Sequence, residues 1–509
     1  MKTTILRRKA IAILGAGAVL FAAAAFTVGC KTNVGGATGG DTGGTTSPAE
    51  YTKVAFGKNG EGLKNYLETK ASATGVNYIE VTGLTAADIA LTADGINMLS
   101  KILSANETKK VAFKFGSGLT GVTDMSYCFI ECKNLVHVSG IPAGVQKMEF
   151  FLYGCKNIKK APEIPEGVTN MSFCFNLCKG LTQAPVIPAS VTNLEGCFED
   201  CTSLTQAPVI PEGVTNMFEC FKGCKSLTQA PKIPASIKGI GGIDGCFEDC
   251  TSLTQAPEIL ANVKQMKATF KNCTSLTQAP VIPASVKAME NTFLGCTSLT
   301  QAPVLPTNVT MVGGTFEGCT SLTQAPEIPV SVVSMGHCFK GCTKLTQAPA
   351  IPANVIYMGG CFEGCTSLTQ APVLPTKVES LRDCFKGCTS LTQAPVIPAK
   401  VTTMHNCFEG CTSLTEAPVI PKDITAMPSC FEGCTKLTAA TLKCNYNPAV
   451  LYKDEDGNEV KAFKDVFKGC ASLANDSVKV PAAQVAAYKA GAGTMDAWMQ
   501  MQSGLSQNK

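Results

Sequence analysis

The sequence predicts a solenoid of 23-residue coils with short parallel strands and few helices. A small α/β cap closes its N-terminal end and a second cap closes its C-terminal end. Three observations carry this reading. First, a cysteine recurs at Cys132, Cys155, Cys178, Cys201 and Cys224, then from Cys250 to Cys434, in steps of 23 residues except for one of 26 at the insertion 238–245. That makes fourteen units, with a degenerate fifteenth at Cys470. Second, the same columns around each anchor admit only apolar residues. Third, a unit this short cannot form its own core, so its apolar face must be buried against its neighbours.

The columns identify the interior. Three residues before the anchor stands Phe, from Phe129 to Phe431, with Leu152 as the exception; three residues after it stands Leu, with Ile158 as the exception. Seven before comes Met, Leu, Ile or Val, and ten before comes Val or Ile. Positions between these columns swing among Glu, Lys, Val, Gly and His and read as solvent-facing. Fourteen coils at about 4.8 Å per paired strand give a rod of roughly 65–70 Å.

Within a coil, Leu204, Ala207 and Ile210 are apolar at every third residue, a period of neither strand nor helix. Two prolines per unit bar a regular central strand. The expectation is a very short strand at 204–207, a polyproline-like corner after it, a second short extended segment at 191–194, and a tight helical turn at 197–201. The N-terminal cap, 49–118, reads as strand 76–81, helix 94–103 and strand 110–115. The solenoid spans 119–440. Residues 441–509 hold the degenerate last repeat and the C-terminal cap, with a helix beginning near Val480, Pro481 in its first turn, Trp498 packed nearby and 502–509 frayed.

The first thirty residues differ from the rest. A basic stretch containing Lys2, Arg7, Arg8 and Lys9 precedes an apolar run that ends at Gly29 and Cys30. A glycine- and threonine-rich tract follows, instead of the polar stop of a spanning helix. The segment resembles a bacterial lipoprotein signal, with Thr27 where Leu is usual. The resemblance implies removal of 1–29, lipidation of Cys30 and a flexible tether over 30–48. Taking those four bases from 43 leaves 39, against 39 acids, so charge offers no support for a nucleic-acid partner.

The unit itself resembles the BspA-like, treponemal-type leucine-rich repeat, whose period is also 23 and whose phrase is Ala-Phe-x-x-Cys-x-x-Leu. Here it stands as Cys197, Phe198, Glu199, Asp200, Cys201, Thr202, Ser203 and Leu204. Residues 168–178 are similar to a sister repeat of bacterial surface lipoproteins. The resemblance covers about 120–480. It implies a leucine-rich-repeat solenoid and a surface-exposed protein in a family linked to adhesion to host proteins and other cells.

Cysteine admits three readings. A second cysteine stands four residues before most anchors but gives way to Thr269, Thr292 and Thr315 and to Phe151. Small buried side chains are favoured over disulfides within or between coils, because Thr is accepted. Metal binding is disfavoured because no His recurs with the pair. His137, His337 and His405 occupy different surface-type columns and form no triad. With no nucleophile elbow, HExxH or P-loop, the reading is a protein that is not an enzyme and uses no cofactor or metal. Alternating charges after Phe (Glu199, Lys222, Glu248, Lys271) are expected to stack one coil apart and support register.

The polar ladder is the candidate binding face: Gln183, Gln206, Gln229, Gln255, Gln278, Gln301, Gln324, Gln347, Gln370 and Gln393, with Glu416 continuing the column. Such a face suits an extended or repetitive partner held by many weak contacts. The bland reading is amide bonding between coils, or duplication that has not diverged. The functional expectation is a lipid-anchored bacterial cell-surface protein, of the outer membrane, that binds a protein or cell-surface ligand in adhesion and touches the membrane only through its lipid. The alternative is a structural or spacer protein of the envelope without a specific ligand.

Overall fold

Each coil bends at fixed points because its backbone N–H groups are shared out alternately. In the coil anchored by Cys201, Leu194, Gly196, Phe198 and Asp200 donate to carbonyls of Asn216, Phe218, Cys220 and Lys222 in the next coil at 2.7–2.9 Å. The residues between them, Cys197, Glu199 and Cys201, donate within the coil to Leu194, Gly196 and Phe198 at 3.0–3.2 Å. The expected helical turn is therefore a ladder of i→i+3 turns. The computed structural model describes residues 50–92, 95–260, 262–447, 450–453, 459–474, 477–491 and 505–508. The signal 1–29, the tether 30–48 with Cys30, and Trp498 lie outside the described residues.

This turn ladder requires positive φ at two columns, five residues and one residue before each anchor. Examples are Gly196 (56°) with Asp200 (57°), and Asn291 (57°) with Gly295 (72°). Left-handed backbone costs a Cβ-bearing residue roughly 1–2 kcal/mol, and Gly, Asn and Asp tolerate it best. Leu177, at φ 60°, breaks that preference in the second column. Replacing Leu177 with Asn, the residue at Asn272 in the same column, is expected to stabilise the chain by about 1 kcal/mol. A thermal melt reads this as a higher midpoint.

The interior is the expected one. Val191, Leu194, Phe198 and Leu204 are fully buried, as are their counterparts in neighbouring coils. From Phe175 to Phe431 each ring stacks on the next at 5.4–5.9 Å with planes inclined by 1–11°. Successive coils thus stack with little tilt. In place of the expected short strands stand single-residue parallel bridges, Gln206 to Gln229 to Gln255 on one side and Asn170 to Asn193 to Asn216 on the other. At the insertion, β5 (Lys238–Gly239) pairs in parallel with β6 (Asn262–Val263).

The N-terminal cap continues the ladder. Strands β1 (Thr52–Ala55), β2 (Asn77–Thr82) and β3 (Val111–Phe115) form a parallel sheet with β4 (Leu135–Ser139), which belongs to the first coil. Helices α1 (Glu61–Thr69), α2 (Ala86–Ile89) and α3 (Met98–Ser104) connect them. β1 and α1 were absent from the sequence reading. Asn97 caps α3 by accepting from Ser100 N at 2.8 Å and donates to the carbonyls of Tyr127 and Cys128, fastening the cap to the first coil.

At the other end come β7 (Ala440–Thr441), the hairpin β8 (Leu451–Lys453) with β9 (Glu459–Lys461), β10 (Val478–Pro481), α4 (Val485–Gly491) and β11 (Leu505–Asn508). Two expectations are corrected here. Pro481 closes a strand instead of opening the helix, because Val478 and Lys479 continue the parallel ladder from β7. Residues 505–508, expected to be frayed, pair in parallel with β10. α4 is tied down through Tyr488, whose hydroxyl donates to the Cys444 carbonyl at 3.2 Å.

Candidate binding face

The column five residues after each anchor forms one exposed file. All ten glutamines, from Gln183 to Gln393, are exposed. Most of their backbones bridge from coil to coil, as in Gln255 to Gln278 to Gln301 and Gln370 to Gln393, so those side chains leave the surface at a fixed step. The column exists because Leu, two residues earlier, is pinned in the core. The preceding threonine is used structurally: Thr254, Thr277 and Thr392 each donate a hydroxyl to the matching carbonyl of the previous coil at 3.3–3.4 Å.

Three residues beyond the glutamine lies a column that sequence reasoning missed. Val186, Val209, Val281, Val304, Val373 and Val396 are 87–89% exposed. Proline before and buried Ile or Leu after turn each valine outward. Elsewhere in the column stand Glu163, Lys232, Glu258, Glu327 and Ala350, all exposed, and Lys232 pairs with Glu258 at 3.4 Å. Gln206, Gln229, Val209 and Lys232 border one shallow groove of about 350 Å³. The available signal was the column's tolerance: Glu, Lys and Ala never replace a core residue here.

The buried chemistry is structural. Twenty-six cysteines are free and buried. From Cys178 to Cys296 the anchor thiol donates to a carbonyl of the previous coil at 3.1 Å, as Cys201 does to Phe175. Thr replaces the earlier cysteine because its hydroxyl serves the same end: Thr292 donates to Met266 and Met289 at 2.7 Å. Burial pushes the thiols up, to about 12 for Cys132, Cys319 and Cys365. Among the described residues no group of three or more His, Cys, Asp or Glu is arranged to hold a metal ion.

The charge ladder stands on the turns from Lys222 onward, while Glu199 accepts from Asn176 instead: Lys222 and Lys271 both reach Glu248, at 3.2 and 2.9 Å, and Lys340 reaches Glu363 at 3.1 Å. Exposed pairs of this kind contribute about 0.2–1 kcal/mol each. Glu199, half withdrawn from water, is raised to about 7 by burial and by Glu219. His405 is not a surface residue. It is buried, and desolvation, with Arg382 adding, lowers it to about 4. His337 and Arg382 share a charged cleft of about 300 Å³ with Lys340, Glu363, Asp383, Lys386 and Asn406. Among the described residues no helix is long and apolar enough to cross a membrane.

Comparison with known proteins gives the following likenesses. The structure is similar to a leucine-rich repeat protein from Bacteroides ovatus, at 20% identity and a TM-score of 0.47 over 84% of this chain and 92% of that one. It is similar to a leucine rich cell surface protein from Faecalibacterium prausnitzii, at 16% identity and a TM-score of 0.31 over 85% and 93% of the two chains. A third likeness is to a leucine-rich repeat protein from T. pallidum, at 22% identity and a TM-score of 0.25 over 46% and 86%. No curated protein matches the chain. The BspA type Leucine rich repeat region matches in six copies, over 122–254, 217–346 and 335–448, which together exceed half of the 509 residues. With its 23-residue period and its stacked Phe, Cys and Leu columns, the chain belongs to the BspA-type leucine-rich repeat proteins.

Proposed function

We propose that this chain is a lipid-anchored protein of a bacterial cell surface that holds another macromolecule on its glutamine file and acts in adhesion to host or bacterial surfaces. One observation carries the reading: ten identical amide side chains stand exposed in register along the solenoid. A repetitive partner meets such a file many times at once, and weak contacts add through effective concentration. The lipobox-like segment ending at Cys30 supports the anchor, and membership of the repeat family supports a binding scaffold over an enzyme.

The test is solid-phase binding of the chain to host matrix proteins and to bacterial cells. Saturable binding is expected. Replacing Gln278, Gln301 and Gln324 together with Ala is expected to weaken it about tenfold, near 1.4 kcal/mol, with an unchanged melting temperature because all three are exposed. No binding to any surface would leave the envelope spacer as the function. Release of a Cys30→Ser chain into the medium checks the anchor separately.

A further inference from the structure

We propose that the valine column is the contact surface for a second copy of this chain, packed antiparallel about a two-fold axis between Val281 and Val304. Coils are numbered 1 to 14 from the one anchored by Cys132. The highly exposed valines then occupy coils 3 and 4 (Val186, Val209), 7 and 8 (Val281, Val304), and 11 and 12 (Val373, Val396). That pattern reads the same from either end. A two-fold axis between coils 7 and 8 sets Val186 on Val396, Val209 on Val373 and Val281 on Val304, so every valine of the three pairs meets a valine. An isologous interface demands this self-complementarity.

The interruptions fit the same axis. Lys232 in coil 5 faces Ala350 in coil 10, a side chain small enough to leave it room. Glu258 in coil 6 faces Glu327 in coil 9. Lys232, which already pairs with Glu258 at 3.4 Å, thus lies one coil from the partner's Glu327 and supplies the cation between the two carboxylates. A parallel two-fold pairing would instead set Lys232 on Lys232 and each glutamate on itself. At the ends the match lapses, with Glu163 opposite Val419.

The area suits a reversible dimer. The matched coils, 3 to 12, give a strip about 45 Å long and about 10 Å wide that buries on the order of 900 Å² in total, the size of a weak, reversible interface. Exposed apolar strips of this kind mark interaction surfaces. The glutamine file, three residues upstream, runs along the edge of the contact.

The experiment combines sedimentation with cross-linking of the chain. The wild type is expected to be dimeric, and V281E/V304E monomeric, with dissociation at least 100-fold easier and a thermal melt equal to that of the wild type diluted below its dimer range. V330E, at an exposed valine outside the column, is expected to leave the dimer intact. V281C/V304C is expected to form a disulfide-linked dimer; V186C is expected to link to V396C and not to itself. A wild type that stays monomeric at roughly 100 μM would overturn the proposal. So would V186C linking to V186C, or column variants that lose a foreign macromolecule while the wild type sediments as a monomer.

Discussion

Raising the pH from 8 to 10 is expected to unfold the solenoid cooperatively, with thiolate absorbance appearing as the far-UV circular dichroism is lost. The cause is the buried thiol column. Burial raises Cys132, Cys319, Cys365, Cys411 and Cys470 to about 12 in the folded chain. An unfolded thiol titrates near 8.5. The sign follows: below about 8.5 both states hold the proton and stability is intact. Between that value and about 12 only the unfolded state releases it, so stability falls as pH rises. At pH 10 the loss is about 2 kcal/mol per thiol. Those five alone then remove about 10 kcal/mol, comparable with the 5–15 kcal/mol of an ordinary domain. Alkylation by iodoacetamide at pH 8 is expected to label none of the twenty-six folded cysteines and all of them after denaturation. Exchanging Cys338 and Cys361 for Thr, which already stands in their column at Thr292 and Thr315, should move the alkaline midpoint upward. Thiols that titrate ahead of unfolding, or that stay unlabelled after it, would show that the column is exposed or bridged.

What the sequence disclosed follows from how strictly each column is constrained. The Phe, Leu and Met columns were legible because a buried site between two neighbours accepts only apolar residues, and the repeat tests that many times over. The turn ladder leaves a signal of its own: the residue before the anchor is Gly, Asn or Asp in most coils, as at Gly154, Asp200, Asn272 and Gly295, although such a position reads as solvent-facing variation. Its constraint is a positive φ, not burial, and hydrophobic patterning does not register backbone conformation. The valine file was hidden for a related reason, because a valine between proline and isoleucine resembles core until its exchange with Glu258 or Lys232 is weighed. β1 and α1 flank or contain glycines at 57, 60 and 62, whose low strand and helix propensity masks both elements. In the structure Gly62 lies against the Ala55 carbonyl, where a Cβ would come within 2.3 Å. At the C-terminal end, β10 is a strand by virtue of pairing with β7, and β11 by pairing with β10, a tertiary cause that no local pattern carries.

Phe293→Ala is expected to destabilise the centre of the stack by about 3–5 kcal/mol, the cost of removing a buried aromatic ring and leaving a cavity. Phe293 lies between Phe270 at 5.7 Å and Phe316 at 5.9 Å, both nearly parallel to it, and is fully buried. Substitution therefore removes two stacking contacts, each worth about 0.5–1.5 kcal/mol beyond burial. The consequence depends on the architecture. In a globule with a shared core the whole transition would shift to lower urea at constant slope. In a stack where each coil touches only its neighbours, the loss concentrates at two adjacent interfaces and uncouples the halves. The expected urea curve has two transitions, each shallower than the wild-type transition because each exposes about half the surface. Hydrogen exchange should show protection lost first around 270–316. Phe129→Ala, at the first coil, is the contrasting variant. Its ring packs edge-on against Phe113 at 5.1 Å and Phe151 at 5.4 Å, beside the cap. It is expected to fray the N-terminal end and leave the central slope intact. A single transition of unchanged slope in Phe293→Ala would mean that cooperativity extends through the whole stack and is not set by the interface between neighbouring coils.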